Sequence, residues 1–218
     1  MSKKHNHEVD TNIESLSKAE AFITKNNKKI VAGVVLIAAV LITIFSVRSC
    51  NEKKDAAAQE AFTSVEHAGL MAIDSLGKAA ALAEYEAYID EHGKHAVAAA
   101  SFEAGVAAME AKDYNKAIEF FSEYEGEDAL FNARALACIG DCYVELGDYQ
   151  KAYDNYAAAL AKADNDIAAE YAFRAGLVAE KLGKNDKALA MYQTIKDKYP
   201  ASPRAVEIEK YISRVEAK

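Results

Sequence analysis

Tryptophan is absent from the 218 residues, and proline occurs only twice, at Pro200 and Pro203. With so few breakers and so much alanine, the chain suits an all-helical array better than a sheet protein. Cysteine is scarce as well: Cys50 lies beside an apolar run, and Cys138 and Cys142 are four apart on one predicted helix. That spacing would strain an intrahelical disulfide, and no further ligand stands nearby at a zinc-like distance, so both are read as small core residues. A phosphate-cradling glycine loop is missing too. Basic residues are short where a nucleic acid would need them. The net charge is −8, and residues 51–218 hold 19 basic against 30 acidic residues. No basic stripe is left for phosphates, and nucleic-acid binding is excluded.

Nor is there a catalytic constellation. Glu123, Glu125, Glu127 and Asp128 cluster at a predicted helix end and read as solvated charge, while His92 and His95 flank Gly93 in a turn without further ligands. His5 and His7 read as solvent-exposed. No enzyme activity, cofactor or metal is expected.

What is present begins with Ile30–Val47, 18 residues without a charge, at the short end of what crosses a bilayer core as a helix. The 29 residues before it and its length argue for a retained anchor rather than a cleaved signal. Arg48, two positions before Cys50, argues against lipidation there. Residues 1–29 are polar, and two readings stand for them. One is an amphipathic helix with Ile13, Leu16, Phe22 and Ile23 on a broad face, lying on the membrane or a partner; the other is a disordered tail. The close flanks nearly balance, Lys25, Lys28 and Lys29 against Arg48, Lys53 and Lys54. Lys18 and the acidic remainder tilt the tail inside and the rest outside. Neither glycine nor proline occurs from Val34 to Ala68, so the anchor runs on as a helical stalk over 48–61, with Asn51 the expected break.

The remainder is periodic. Gly69, Gly105, Gly140 and Gly176 recur at spacings of 36, 35 and 36, and so do Ala81, Ala117, Ala152 and Ala188. Tyr85, Phe121, Tyr156 and Tyr192 keep the same spacings. The clearest copy carries Gly140, Tyr143, Leu146-Gly147-Asp148-Tyr149, Ala152 and Tyr156: two short antiparallel helices joined at Gly147-Asp148, small where they touch and aromatic where gaps need filling. This pattern resembles the tetratricopeptide repeat (TPR). The expected fold is an all-α TPR solenoid preceded by one transmembrane helix. Its repeats are placed at 62–97, 98–132, 133–168 and 169–204, within 62–204. A capping helix follows over 205–218, covering the core end with Val206, Ile208, Tyr211, Ile212 and Val215. The first repeat is the most degenerate, with Lys78 where the others have Tyr114, Tyr149 and Asn185.

In that family the first helix of each repeat lines a concave face. The resemblance places its contact positions at Thr63, Glu66, Leu70 and Ile73; at Ala99, Phe102, Val106 and Met109; at Arg134, Ala137, Asp141 and Val144; and at Glu170, Phe173, Leu177 and Glu180. The Lys and Asn of the family's carboxylate clamp are missing. The expected protein-binding groove is apolar, with Phe102, Val106, Met109, Ala137, Val144, Phe173 and Leu177, and is edged by Asp141, Glu170 and Glu180. The alternative is that a tight superhelical turn, or the capping helix, buries these residues.

Tail, anchor and repeat array together resemble the YfgM-like family of bacterial inner-membrane TPR proteins, down to Lys25-Asn26-Asn27-Lys28-Lys29 before the anchor. That resemblance implies a single-pass protein with a cytoplasmic N-terminus and a periplasmic TPR domain. Translocon components, chaperones or client polypeptides would be its partners, in an ancillary role at the Sec translocon. A structural scaffold for cell-envelope assembly, and self-association through a groove filled by a second copy, are the other readings.

Overall fold

The computed structural model describes the backbone of residues 2–71, 75–163 and 165–217, and side chains from residue 17 onward except 18, 19, 70–76, 78, 164 and 218. Ile73, and the side chains of His5, His7, Ile13, Leu16, Leu70 and Lys78, therefore lie outside the described residues. The chain divides into two compact units, Met1–Lys53 and Lys54–Lys218.

Helix α1 covers Ser2–Met71, with Asn51 inside it rather than at a break. Ala, Glu, Lys and Gln dominate residues 52–61, and nothing there opposes continuation of the helix. In the first unit the apolar side chains from Val31 to Val47 are exposed. By length and composition this helix can cross a membrane.

In the second unit successive helices pack on one another. After the end of α1 come α2 (Ser75–His92), α3 (Ala98–Glu110), α4 (Tyr114–Ser122) and α5 (Ala129–Glu145). Then follow α6 (Tyr149–Lys162), α7 (Ile167–Lys181), α8 (Asn185–Lys198) and α9 (Ile208–Glu216). Among the described residues there are nine α-helices and no strand.

The repeated glycine has one physical reason in every copy. A Cβ built on it would meet the ring of the repeated aromatic: 3.0 Å from the Tyr85 ring at Gly69, where the hydroxyl is nearer still, 2.8 Å from Phe121 at Gly105, 2.7 Å from Tyr156 at Gly140 and 2.3 Å from Tyr192 at Gly176. The second helix thus lays its ring on bare backbone of the first. Ala117, Ala152 and Ala188 are fully buried beside these rings, and Ala81 nearly so. At the joint between helices, Asp113 caps α4 and Asp148 caps α6, each accepting from the N–H three residues on at 3.2 Å. In the first copy Tyr88 donates to Ala58 O at 2.9 Å and accepts from Val97 N–H at 3.1 Å, tying α1 to the loop after α2.

At the C-terminal end, Ile208, Ile212 and Val215 are buried against the fourth repeat, with Tyr211 half-buried beside them. Val206 departs from the expected set: it is 83% exposed. A 3-10 turn over Pro203–Val206 precedes α9, capped by the buried Ser202, and the change of helix at Glu207 turns Val206 outward.

Candidate functional site

The first helices of the third and fourth repeats, α5 and α7, bound a cleft of about 360 Å³ that also reaches Met109 at the end of α3. Four residues of the expected groove line it: Met109, Ala137, Asp141 and Glu170. Val106, Val144, Leu177 and Glu180 do not.

The two phenylalanines expected at the groove's centre are core residues. Phe102 is 3% exposed; its ring meets Phe121, Tyr124 and Phe131 edge-on at 5.4, 5.6 and 5.6 Å, with the Arg134 guanidinium 5.5 Å from its centroid. Phe173, 6% exposed, is covered by Tyr211 of α9 at 4.8 Å, by Tyr192 at 6.1 Å and by Arg204 at 4.2 Å. Ala137, although in the lining, is buried too. Aromatic neighbours one helix away fill the space into which these side chains would otherwise present themselves.

The cleft's apolar mouth comes instead from residues at the first turns of α5 and α7. Leu130, Phe131 and Ile167 are each about two-fifths exposed, at 39, 42 and 40%. Phe131 and Ile167 are 36 residues apart, one repeat. All three stand two or three residues before the repeat starts placed at 133 and 169, outside the contact positions that the resemblance gives.

The acids of the expected groove are tied to arginines of the fourth repeat and of the capping helix. Arg174 donates to both Asp141 oxygens at 2.7 Å and to Glu170 at 2.9 Å. Arg204 donates to the other Glu170 oxygen at 2.5 Å, and Tyr156 donates to Asp141 at 2.6 Å. Glu180 accepts from Tyr192 at 2.8 Å and from Arg214. Burial, and then the bond to Asp141, push the Tyr156 hydroxyl well above the usual phenol range. Burial would raise the Glu170 carboxyl, but hydrogen bonds from Arg204 and Arg174 outweigh it and hold the group below its ordinary value. Burial opposes the Arg174 charge, yet Glu170 and Asp141 more than restore it. Carboxylates that looked like a free rim are therefore ties between elements.

The cleft also has a thiol in its lining, that of Cys138. Burial pushes the Cys138 thiol up to about 11, and the buried Cys142 thiol up to about 12, so neither is a thiolate near neutrality. Among the described residues no group of three or more His, Cys, Asp or Glu is arranged to hold a metal ion.

A family model for the tetratricopeptide repeat matches residues 68–130 and 139–203. Two solved structures of MamA share the fold. One aligns at a TM-score of 0.51 and 21% identity over 65% of this chain and 88% of the other. The second aligns at 0.54 and 22% identity over 73% and 88%. No curated protein matches the chain.

Proposed function

We propose, from the premise that this chain belongs to the tetratricopeptide repeat family, that its repeat unit holds a segment of another polypeptide in the cleft between α5 and α7. Arrays of this kind are protein-interaction modules, stacking helix pairs to make extended concave surfaces. The observation that carries the reading is the exposed apolar mouth of Leu130, Phe131 and Ile167 around an indented floor. Water-exposed apolar groups grouped about a cleft gain most from a partner's apolar side chains.

The finer reading is a membrane-anchored factor. Residues 30–47 span the bacterial inner membrane once, the tail is cytoplasmic and the repeat unit periplasmic, ancillary to the Sec translocon or to periplasmic chaperones, with their subunits or clients as occupants. The exposed apolar course of α1 supports the anchor. The resemblance of tail, anchor and repeat array to YfgM-like proteins motivates the placement. A structural scaffold of an envelope assembly is the second reading. It is favoured by a further cleft of about 340 Å³, where Phe173, Tyr211 and the exposed Val206 offer another docking face.

Photo-crosslinkers placed at Leu130 and Ile167 in intact cells test both. Capture of translocon subunits, periplasmic chaperones or their clients, lost in Phe131→Asp, is the expected result. Capture of envelope-assembly proteins instead selects the scaffold. Crosslinking no greater than from the exposed Gln193 on α8 overturns the cleft as a binding site.

A further inference from the structure

Two polar groups line this cleft without a hydrogen-bond or ion-pair partner among the described residues: Arg134, which is exposed to water, and Tyr171, which is buried. The chain has five arginines, and four hold a carboxylate: Arg48 on Glu52, Arg174 on Asp141 and Glu170, Arg204 on Glu170, and Arg214 on Glu180. The fifth, Arg134, lines the cleft with its guanidinium carbon over the Phe102 ring, and no carboxylate lies within ion-pair distance among the described residues. This is so although acids outnumber bases by 30 to 19 in residues 51–218. Glu103 feels the Arg134 charge, but burial and Glu66 push that carboxyl toward its neutral form.

The second group is Tyr171. Its side chain lines the same cleft and is 4% exposed, and its hydroxyl is the buried side-chain polar atom that has no hydrogen-bond partner among the described residues. Cys138, Arg134, Arg174 and Asp141, whose charges act on that hydroxyl, line the same cleft as Tyr171. A buried hydroxyl without an acceptor is costly, and native structures rarely leave one.

Both groups are donors, so what completes them is an acceptor, and beside Arg134 an anionic one. The mouth adds apolar walls at Leu130, Phe131 and Ile167. We infer that the cleft takes an acidic side chain flanked by bulky apolar residues in a segment of another polypeptide, with Arg134 and Tyr171 holding its carboxylate. This rests on the reading of the cleft as a protein-binding site. Arg134 gives the fork of N–H donors that matches a carboxylate. Phe102, held in the core, gives the guanidinium a fixed aromatic face to rest on, 5.5 Å from its centroid.

The test uses the full-length chain in detergent micelles and two fluorescent peptides with both ends blocked. One carries a single glutamate between leucine and phenylalanine residues; the other has glutamine in its place. The glutamate peptide is expected to bind about tenfold more tightly, as a charge-assisted bond made inside a cleft allows. Arg134→Gln removes that preference and Arg134→Lys keeps part of it, so loss of charge is separated from loss of packing on Phe102. Tyr171→Phe, which deletes no bond of the unbound protein, weakens the glutamate peptide about threefold or more while leaving the melting curve intact or raised. Ile167→Asp abolishes binding of both peptides and locates them in the cleft. Equal binding of both peptides, still lost in Ile167→Asp, overturns the acidic specificity and leaves the cleft reading standing. A preference for glutamate that survives in Arg134→Gln and Tyr171→Phe overturns the assignment of these residues. Failure of both peptides to bind overturns this inference and the cleft reading together.

Discussion

Lys112 holds a positive φ of 63° at the joint between α3 and α4, where the next two repeats place Gly147 at 77° and Gly183 at 70°. A Cβ in the left-handed region costs about 1 kcal/mol, partly offset because glycine loses more entropy on folding. Lys112→Gly is expected to raise stability by about 0.5–1 kcal/mol, and Gly147→Ala to lower it by a similar amount, read from urea midpoints in micelles. The packing glycines behave differently, since what they lack is room. Alanine at Gly176 would put its Cβ 2.3 Å from the Tyr192 ring, against 2.7 Å from Tyr156 at Gly140. Overpacking of this kind costs about 1–3 kcal/mol, more than the helix propensity gained. Gly176→Ala should therefore destabilise more than Gly140→Ala; the reverse order would show that these rings relax at little cost. At this scale the sequence was readable, because the period exposed glycine, alanine and aromatic together. The reason for each glycine, a ring lying on it, needed the structure.

Among the elements, ion pairs tie α5 to α7, and α7 to α9 and the turn before it, with members 33 residues apart for Asp141 and Arg174 and 34 for Glu170 and Arg204 and for Glu180 and Arg214. The Glu170 pairings carry a pH dependence of definite sign. Its folded carboxyl titrates below the ordinary 4.5. Its contribution is therefore fully present above that value and is lost as pH falls through the lower, folded one. The stability gap between the natural chain and Glu170→Gln should be widest at neutral pH and should shrink below about pH 4.5. A gap that is the same at pH 7 and in acid would mean that Arg174 and Arg204 do not depend on the charge of Glu170. These ties also explain what composition could not reveal. Asp141, Glu170 and Glu180 read as a rim because acidity alone does not disclose a partner 33 or 34 residues away. Phe102 and Phe173 read as groove because the first-helix pattern does not contain the rings of Tyr124, Phe131 and Tyr211 that cover them. Arg134 and Ile167 stood in plain view. Their importance depends on what the neighbouring helices fail to pair or bury, which is a property of the packed array.

At the scale of the whole molecule the three thiols give a test of the proposed membrane anchor and its orientation. Cys50 is exposed three residues beyond the apolar stretch, Cys138 is half-buried and Cys142 is buried. Burial raises the latter two to about 11 and about 12, so at neutral pH they lack both the thiolate and the access that alkylation requires. Cys50 is thus the reporter for the C-terminal side of the anchor. In the proposed orientation a membrane-impermeant maleimide labels Cys50 on intact spheroplasts, and Cys50→Ser removes the signal. Cys138 and Cys142 become reactive only after denaturation. Labelling of Cys50 that appears only after the membrane is permeabilised would place the repeat unit in the cytoplasm. The cleft's contacts would then have to be sought among cytoplasmic polypeptides, because the exposed mouth of Leu130, Phe131 and Ile167 would face that compartment. Labelling of Cys138 in the folded chain would point elsewhere, to a cleft that opens further than its walls show, since that thiol lies in its lining.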